Sequence, residues 1–227
     1  MLGIIILLLF LVVLFVPQVW AATILKKYSY PRDNFPTTGG EFARQLLDHL
    51  HITQVKVETT TLGDHYDPSE KAVRLTSGNL QTKSLTAIVT AAHEVGHAIQ
   101  DDIGYQPLHA RIRLVQIAQQ AQKIGFGLMI AVPFVTAITR SPGLSMLVLL
   151  GGLAGLGVSV LVHLITLPVE WDASFQRALP LLAKTTFLSQ TDQRIARQIL
   201  TACALTYVAN SLLSLLKLLR WLVIFRR

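Results

Sequence analysis

The stretch Ser84 to Gln100, SLTAIVTAAHEVGHAIQ, contains His93-Glu94-Val95-Gly96-His97. On a helix turning about 100° per residue, positions four apart stack one turn above the other, so His93 and His97 present two imidazoles to one point. That spacing suits a zinc ion, which accepts imidazole nitrogen in a tetrahedral shell. Glu94, one step round the helix, is poorly placed as a third ligand but can reach a metal-bound water. Zinc lowers the pKa of such a water toward neutrality, and Glu94 is then the general base as the water attacks a carbonyl. The pattern predicts a zinc peptidase with one catalytic Zn2+. A helix carrying two histidines by coincidence is the plain alternative, but it would leave buried polar side chains without the partners that a metal supplies.

A catalytic zinc takes three protein ligands and leaves one position for water. The third ligand has several candidates. The best is Glu170 in Leu167-Pro168-Val169-Glu170-Trp171-Asp172, where Pro168 is expected to end an apolar helix and an acid-bearing segment to begin a new one. Asp172 would serve nearly as well, and His163, about two turns earlier, is another possibility. Cys203 lies in an apolar segment and reads as packing. Within Gly63-Asp64-His65-Tyr66-Asp67-Pro68, His65 or Tyr66 can donate a hydrogen bond to an oxyanion. The same residues can instead simply close a turn, with Asp64 and Asp67 bonding nearby backbone.

These groups need elements to hold them. Leu85, Ile88, Val89, Ala92 and Val95 flank the histidines without a proline, which predicts a largely buried helix. Thr38 and Glu41 stand at capping-box spacing before a helix to about Leu50. Gln54 to Thr60 and Lys71 to Thr76 are β-branched and alternating, and read as a hairpin. Its second strand, Lys71, Ala72, Val73, Arg74, Leu75 and Thr76, is a candidate exposed edge on which an extended peptide could add through backbone hydrogen bonds.

Hydrophobic residues make up 52% of the 227, too many for an ordinary soluble domain. Apolar runs at 2–22, 124–139, 144–167 and 200–225 predict a mainly α membrane protein with about four transmembrane helices and a small α+β domain. The expected division is an anchor at 1–25, a soluble domain at 26–123 bearing the metal helix and a transmembrane hairpin at 124–167. A cytoplasmic segment at 168–199 with the third ligand and a spanning or interfacial helix at 200–227 complete it. This arrangement puts Glu170 and the histidines on one side of the bilayer. Lys26, Lys27, Arg32, Arg111, Arg113, Lys123, Arg177, Lys184, Arg194 and Arg197 lie on that side, against mainly Arg140, Arg226 and Arg227 on the other. The positive-inside rule therefore turns the site toward the cytoplasm. The net charge of +7 suits an anionic lipid bilayer as partner. Its basic residues form no long run, which argues against nucleic acid. One cysteine permits no intramolecular disulfide.

HEVGHAIQ, the Gly63-to-Pro68 stretch and Pro168-Val169-Glu170-Trp171-Asp172-Ala173-Ser174 together resemble the YugP-like bacterial membrane neutral zinc metallopeptidases, in order from about Asn34 to Ser174. The resemblance implies a zincin-like domain in a bacterial plasma membrane, zinc bound by His93, His97 and Glu170, Glu94 as general base, and peptides or membrane proteins as substrates. The chain is more distantly similar to membrane peptidases of the HtpX and CAAX-processing type, whose glutamate ligand sits in E-x-x-A-D. Ser174 stands where those have Asp, which leaves Asp172 as the acid that could support the site. Two other readings compete. A site-2-type intramembrane protease would add an Asp ligand from an apolar span, and a non-catalytic scaffold would close its zinc with four protein ligands.

Overall fold

The computed structural model describes residues 2–205. Most of them are helical, around one small three-stranded sheet. In chain order the elements are α1 (Leu2–Lys27), α2 (Gly39–His49), β1 (Lys56–Thr60), β2 (His65–Asp67), β3 (Ala72–Thr76) and α3 (Ser77–Gln81). They continue with α4 (Leu85–Asp102), α5 (Gln106–Thr139), α6 (Pro142–Trp171), a π-helical segment (Asp172–Ala178) and α7 (Leu179–Ala183). Residues 190–205 are again helical. The described residues form two compact units, one from the stretches up to Leu108 and 167–205, the other from His109–Thr166.

The first unit is built round α4. Ser84 caps it by accepting a hydrogen bond from the Ala87 N–H at 3.1 Å. This satisfies one of the donors that a helix start leaves open. Leu85, Ile88, Val89, Ala92 and Val95 are all fully buried, each large aliphatic side chain contributing about 1.5–3 kcal/mol. Against them pack Phe42 and Leu47 of α2, Leu182 of α7, and Ile199 and Leu200. The reciprocal box that starts α2 is present, with Glu41 N–H donating to Thr38 Oγ1 at 3.2 Å and Thr38 N–H to the Glu41 carboxylate at 2.8 Å. The C-terminal end of α1 is fastened to α4 by Thr86, whose hydroxyl donates to Leu25 O at 2.8 Å and whose N–H donates to Tyr28 O at 3.1 Å.

The sheet differs from the expected hairpin. Its order is β1-β3-β2, with β1 parallel and β2 antiparallel to β3. The segment read as a connecting loop supplies the third strand, and Asp67 closes the tight turn after it by accepting from Ser69 N–H at 2.9 Å and Glu70 N–H at 3.3 Å. Lys71 to Thr76 is therefore the central strand, not an exposed edge. Both its sides are occupied, by β1 across Ala72 to Thr76 and by β2 across Ala72 to Arg74. The edges are β1 and β2.

Pro168 does not end a helix: α6 runs through it to Trp171, and the chain then widens into the π segment. In the second unit α5 and α6 approach closely, a Cβ at Gly155 meeting Ala121 O at 2.5 Å and one at Gly152 meeting Met129 Sδ at 2.8 Å. Glycine is what lets the helices pack there. Among the described residues one helix, α5, is long and apolar enough to cross a membrane, where the sequence predicts about four. The last predicted crossing falls largely on residues 206–227, outside the described part.

Candidate metal centre

His93 and His97 lie one turn apart on α4, 2% and 5% exposed. Their rings are 4.9 Å apart and inclined at 77°. Opposite them, in the last turn of α6, stands Glu170, fully buried, its Oε2 3.3 Å from His93 Nε2 and 3.2 Å from His97 Nε2. The three potential ligand atoms all lie within 4.8 Å of one another, and no other group of three or more such side chains converges among the described residues. What lets two helices bring these groups so close is Gly96. A Cβ there would stand 2.6 Å from Ala173 O, so any larger residue pushes the π segment, and with it the end of α6, away from the histidines.

The remaining imidazole nitrogens are engaged by neighbouring side chains. Ser174 Oγ lies 3.1 Å from His93 Nδ1, and Gln100 Oε1 lies 3.0 Å from His97 Nδ1. With each Nδ1 engaged, both Nε2 atoms face the carboxylate. Two imidazoles and a carboxylate in a dry pocket are a donor set that zinc accepts in catalytic sites, so the residues present fit the ion. Burial works to raise the Glu170 carboxyl, but the charge on His97 and hydrogen bonds from both histidines outweigh it and hold Glu170 well below the usual carboxylate range.

Glu94 faces a cavity of about 190 Å³ lined also by His93, Asp64, Asn79, Thr90 and Cys203. Burial pushes its carboxyl up to about 7. His93 opposes that rise, the negative charges of Glu170 and Asp64 reinforce it, and a hydrogen bond from the Tyr66 backbone N–H opposes it. A base that titrates near neutrality is suited to taking and returning a proton. Asp64 accepts from Thr76 N–H at 2.6 Å and from Asn79 Nδ2 at 2.7 Å, tying the start of β2 to the end of β3.

The other residues singled out from the sequence are placed differently. His65 Nδ1 sits 2.8 Å from Gly63 O and closes its own turn, and the Tyr66 phenol donates to Asp101 Oδ2 at 2.6 Å. His65 Nδ1 thus bonds within its own turn, and the Tyr66 phenol ties β2 to the end of α4. To Glu94, Tyr66 contributes through its backbone. Asp172 is not among the three convergent side chains. It lies against Gln100 Nε2 at 2.8 Å and Arg177 Nε at 3.1 Å. Cys203 lines the cavity without joining the three convergent ligand atoms, and the side chain of His163 is outside the described part. Gln100 and Ser174 went unremarked as partners of the histidines. Gln100 had a readable signal, since three residues beyond His97 places it on the same helical face.

The sequence matches a family described as "Putative neutral zinc metallopeptidase" over residues 3–226. It is 36% identical over 214 residues to the "Putative membrane protease YugP" of Bacillus subtilis (strain 168), covering 88% of this chain and 86% of that one. No solved structure matches.

Proposed function

The chain belongs to this neutral zinc metallopeptidase family, and from that premise we propose that it is a membrane-anchored zinc endopeptidase. His93, His97 and Glu170 would hold the ion, and Glu94 would be the general base. The observation that carries the proposal is the buried convergence of those three ligand atoms beside a carboxylate whose pKa lies near 7. A zinc ion bound there would supply Lewis acidity, lowering the pKa of a water and polarising a peptide carbonyl.

The chain's own residues do the rest. The Tyr66 N–H orients the Glu94 carboxylate, which accepts the proton of the attacking water and hands it to the departing amine. The cavity beside Glu94 has room for a substrate side chain. A purely structural zinc site would be closed by four protein ligands, and only three potential ligand atoms converge among the described residues, which favours an open, catalytic site. A site-2-type protease is disfavoured because the third convergent side chain is Glu170, not an Asp from an apolar span.

For its setting we propose a bacterial plasma membrane crossed by α5, with the metal centre on the cytoplasmic side. The apolarity of α5 and the basic residues clustered next to the predicted crossings support this.

The test is Glu94→Gln in purified full-length protein with an unstructured reporter peptide. Zinc content should stay that of the unsubstituted protein while cleavage falls by about 10²–10⁴. Unchanged cleavage would rule out Glu94 as the base.

A further inference from the structure

The two histidines are oriented by unlike partners, and the difference has a chemical meaning. Gln100 is completely buried, out of contact with bulk solvent. Its Nε2 lies 2.8 Å from Val169 O and 2.8 Å from Asp172 Oδ2, both acceptors, so this end of the amide must be the NH2 group. Turning the amide over would set its oxygen against two other oxygens. Gln100 Oε1 is thereby directed at His97 Nδ1, 3.0 Å away, and an oxygen there requires an N–H. A neutral imidazole carries one proton. Gln100 keeps that proton on Nδ1, so the proton that a metal displaces is the one His97 Nε2 shares with Glu170, and Nε2 becomes the ligand atom. His93 has no such constraint, because its Nδ1 meets a Ser174 hydroxyl that can rotate to donate or to accept.

The amide is itself held by the π segment. Asp172 and Arg177 are five residues apart, which a π turn brings into line and an α turn does not, and Arg177 Nε reaches Asp172 at 3.1 Å. We propose that Gln100, held by Asp172 and the Val169 carbonyl, is a positioning residue that fixes His97 in the Nδ1–H tautomer and presents its Nε2 as a ready metal ligand. The proposal rests on the zinc-peptidase reading above. It adds that the two histidines are unequal, His97 being preset and His93 adaptable.

The experiment is zinc affinity by competition with a chromophoric chelator, on full-length protein stripped of metal, for the unsubstituted chain, Gln100→Leu, Gln100→Lys and Gln100→Glu combined with Asp172→Asn. Leu fills the space and offers no acceptor. Glu restores an acceptor for His97 Nδ1–H, while the Asp172→Asn change turns the facing carboxylate into an amide whose NH2 can donate to the second oxygen of that Glu. Gln100→Leu should weaken zinc binding about ten- to a hundredfold, and the double variant should recover most of it. If Gln100 mattered only for holding the π segment, Gln100→Lys, whose ammonium can donate to Asp172 and offers His97 no acceptor, would bind zinc as the unsubstituted chain does, and that result would overturn the proposal. Unweakened binding by Gln100→Leu would do so too. Should Gln100→Leu lose its helical circular dichroism without metal, the double variant alone decides, near-normal affinity supporting the tautomer role and weak affinity refuting it. A wild-type chain that binds no zinc overturns both this inference and the reading beneath it, whereas zinc bound equally by all four proteins overturns this inference alone.

Discussion

Two parts of the first unit are joined by different physical means. Where α4 meets the π segment, Gly96 and the Ala173 carbonyl are in near-backbone contact, and every polar group between them is buried: His93 with Ser174, His97 with Gln100, Glu170 with both histidines. The sheet is held at its surface by ion pairs. Arg74 reaches Asp67 and Glu58, and Lys71 reaches Asp101, with the cationic side chains 26% and 47% exposed. Exposed pairs of this kind contribute about 0–1 kcal/mol each, because water screens them and long side chains lose freedom. Buried polar contacts are expensive to break, since a partner left behind cannot turn to solvent. The junction is thus where precise geometry is enforced, and the charged surface of the sheet is where substitution is tolerated.

Glu94 offers the sharpest contrast, as a carboxylate on the buried side. Its pKa in the folded chain is raised from 4.5 to about 7. The zinc-free fold therefore keeps its full stability from this group below about pH 4.5 and loses it as pH rises through 7, by about 3 kcal/mol once the group is ionised. His93, Glu170, Asp64 and the Tyr66 N–H are the groups that face it. Metal-free Glu94→Gln should accordingly be about 3 kcal/mol more stable than the unsubstituted chain in urea unfolding at pH 8, the gap closing as pH falls toward 4.5. A gap that widened on acidification would mean that Glu94 is ionised comfortably in the fold.

Gly96→Ala comes next. Its methyl would meet Ala173 O at 2.6 Å, so backbone must move. Stability should fall by about 1–3 kcal/mol. Because Ala173 lies three residues past Glu170, zinc affinity should fall with it. Loss of stability with intact zinc binding would show that the junction does not set the ligand geometry.

Ser174→Ala removes only a hydroxyl from His93 Nδ1. Zinc affinity should drop about tenfold with little change in the melting temperature of the metal-free chain. At the sheet, Arg74→Ala should cost less than about 1 kcal/mol and leave zinc binding untouched. A larger loss there would erase the distinction between the two regions.

What the sequence discloses follows the same division. The metal helix is legible because an apolar period, a serine cap and two histidines four apart all agree on one element. Glu170 is legible as a candidate but not separable from Asp172, since an ordinary helix offers no reason to prefer either. The π segment decides between them: it turns Asp172 toward Gln100 and Arg177 and leaves Glu170 and Ser174 facing the histidines. No residue pattern announces that change of pitch. The sheet misleads for another reason. At three residues β2 is too short to show alternation, so a strand that occupies one side of β3 passes for the tip of a hairpin. The partner of the Tyr66 phenol, Asp101 on α4, is likewise set by tertiary contact and cannot be read from the local sequence, whereas His65 bonds Gly63 O two residues away.

The account is most directly tested by counting zinc per chain, by elemental analysis after dialysis against a trace of zinc, in the unsubstituted protein and in Glu170→Ala. One ion per chain, lost when the carboxylate is removed, is the expected result. No bound zinc in the parent protein, or a full complement retained without Glu170, would contradict the shared site on which the mechanism depends.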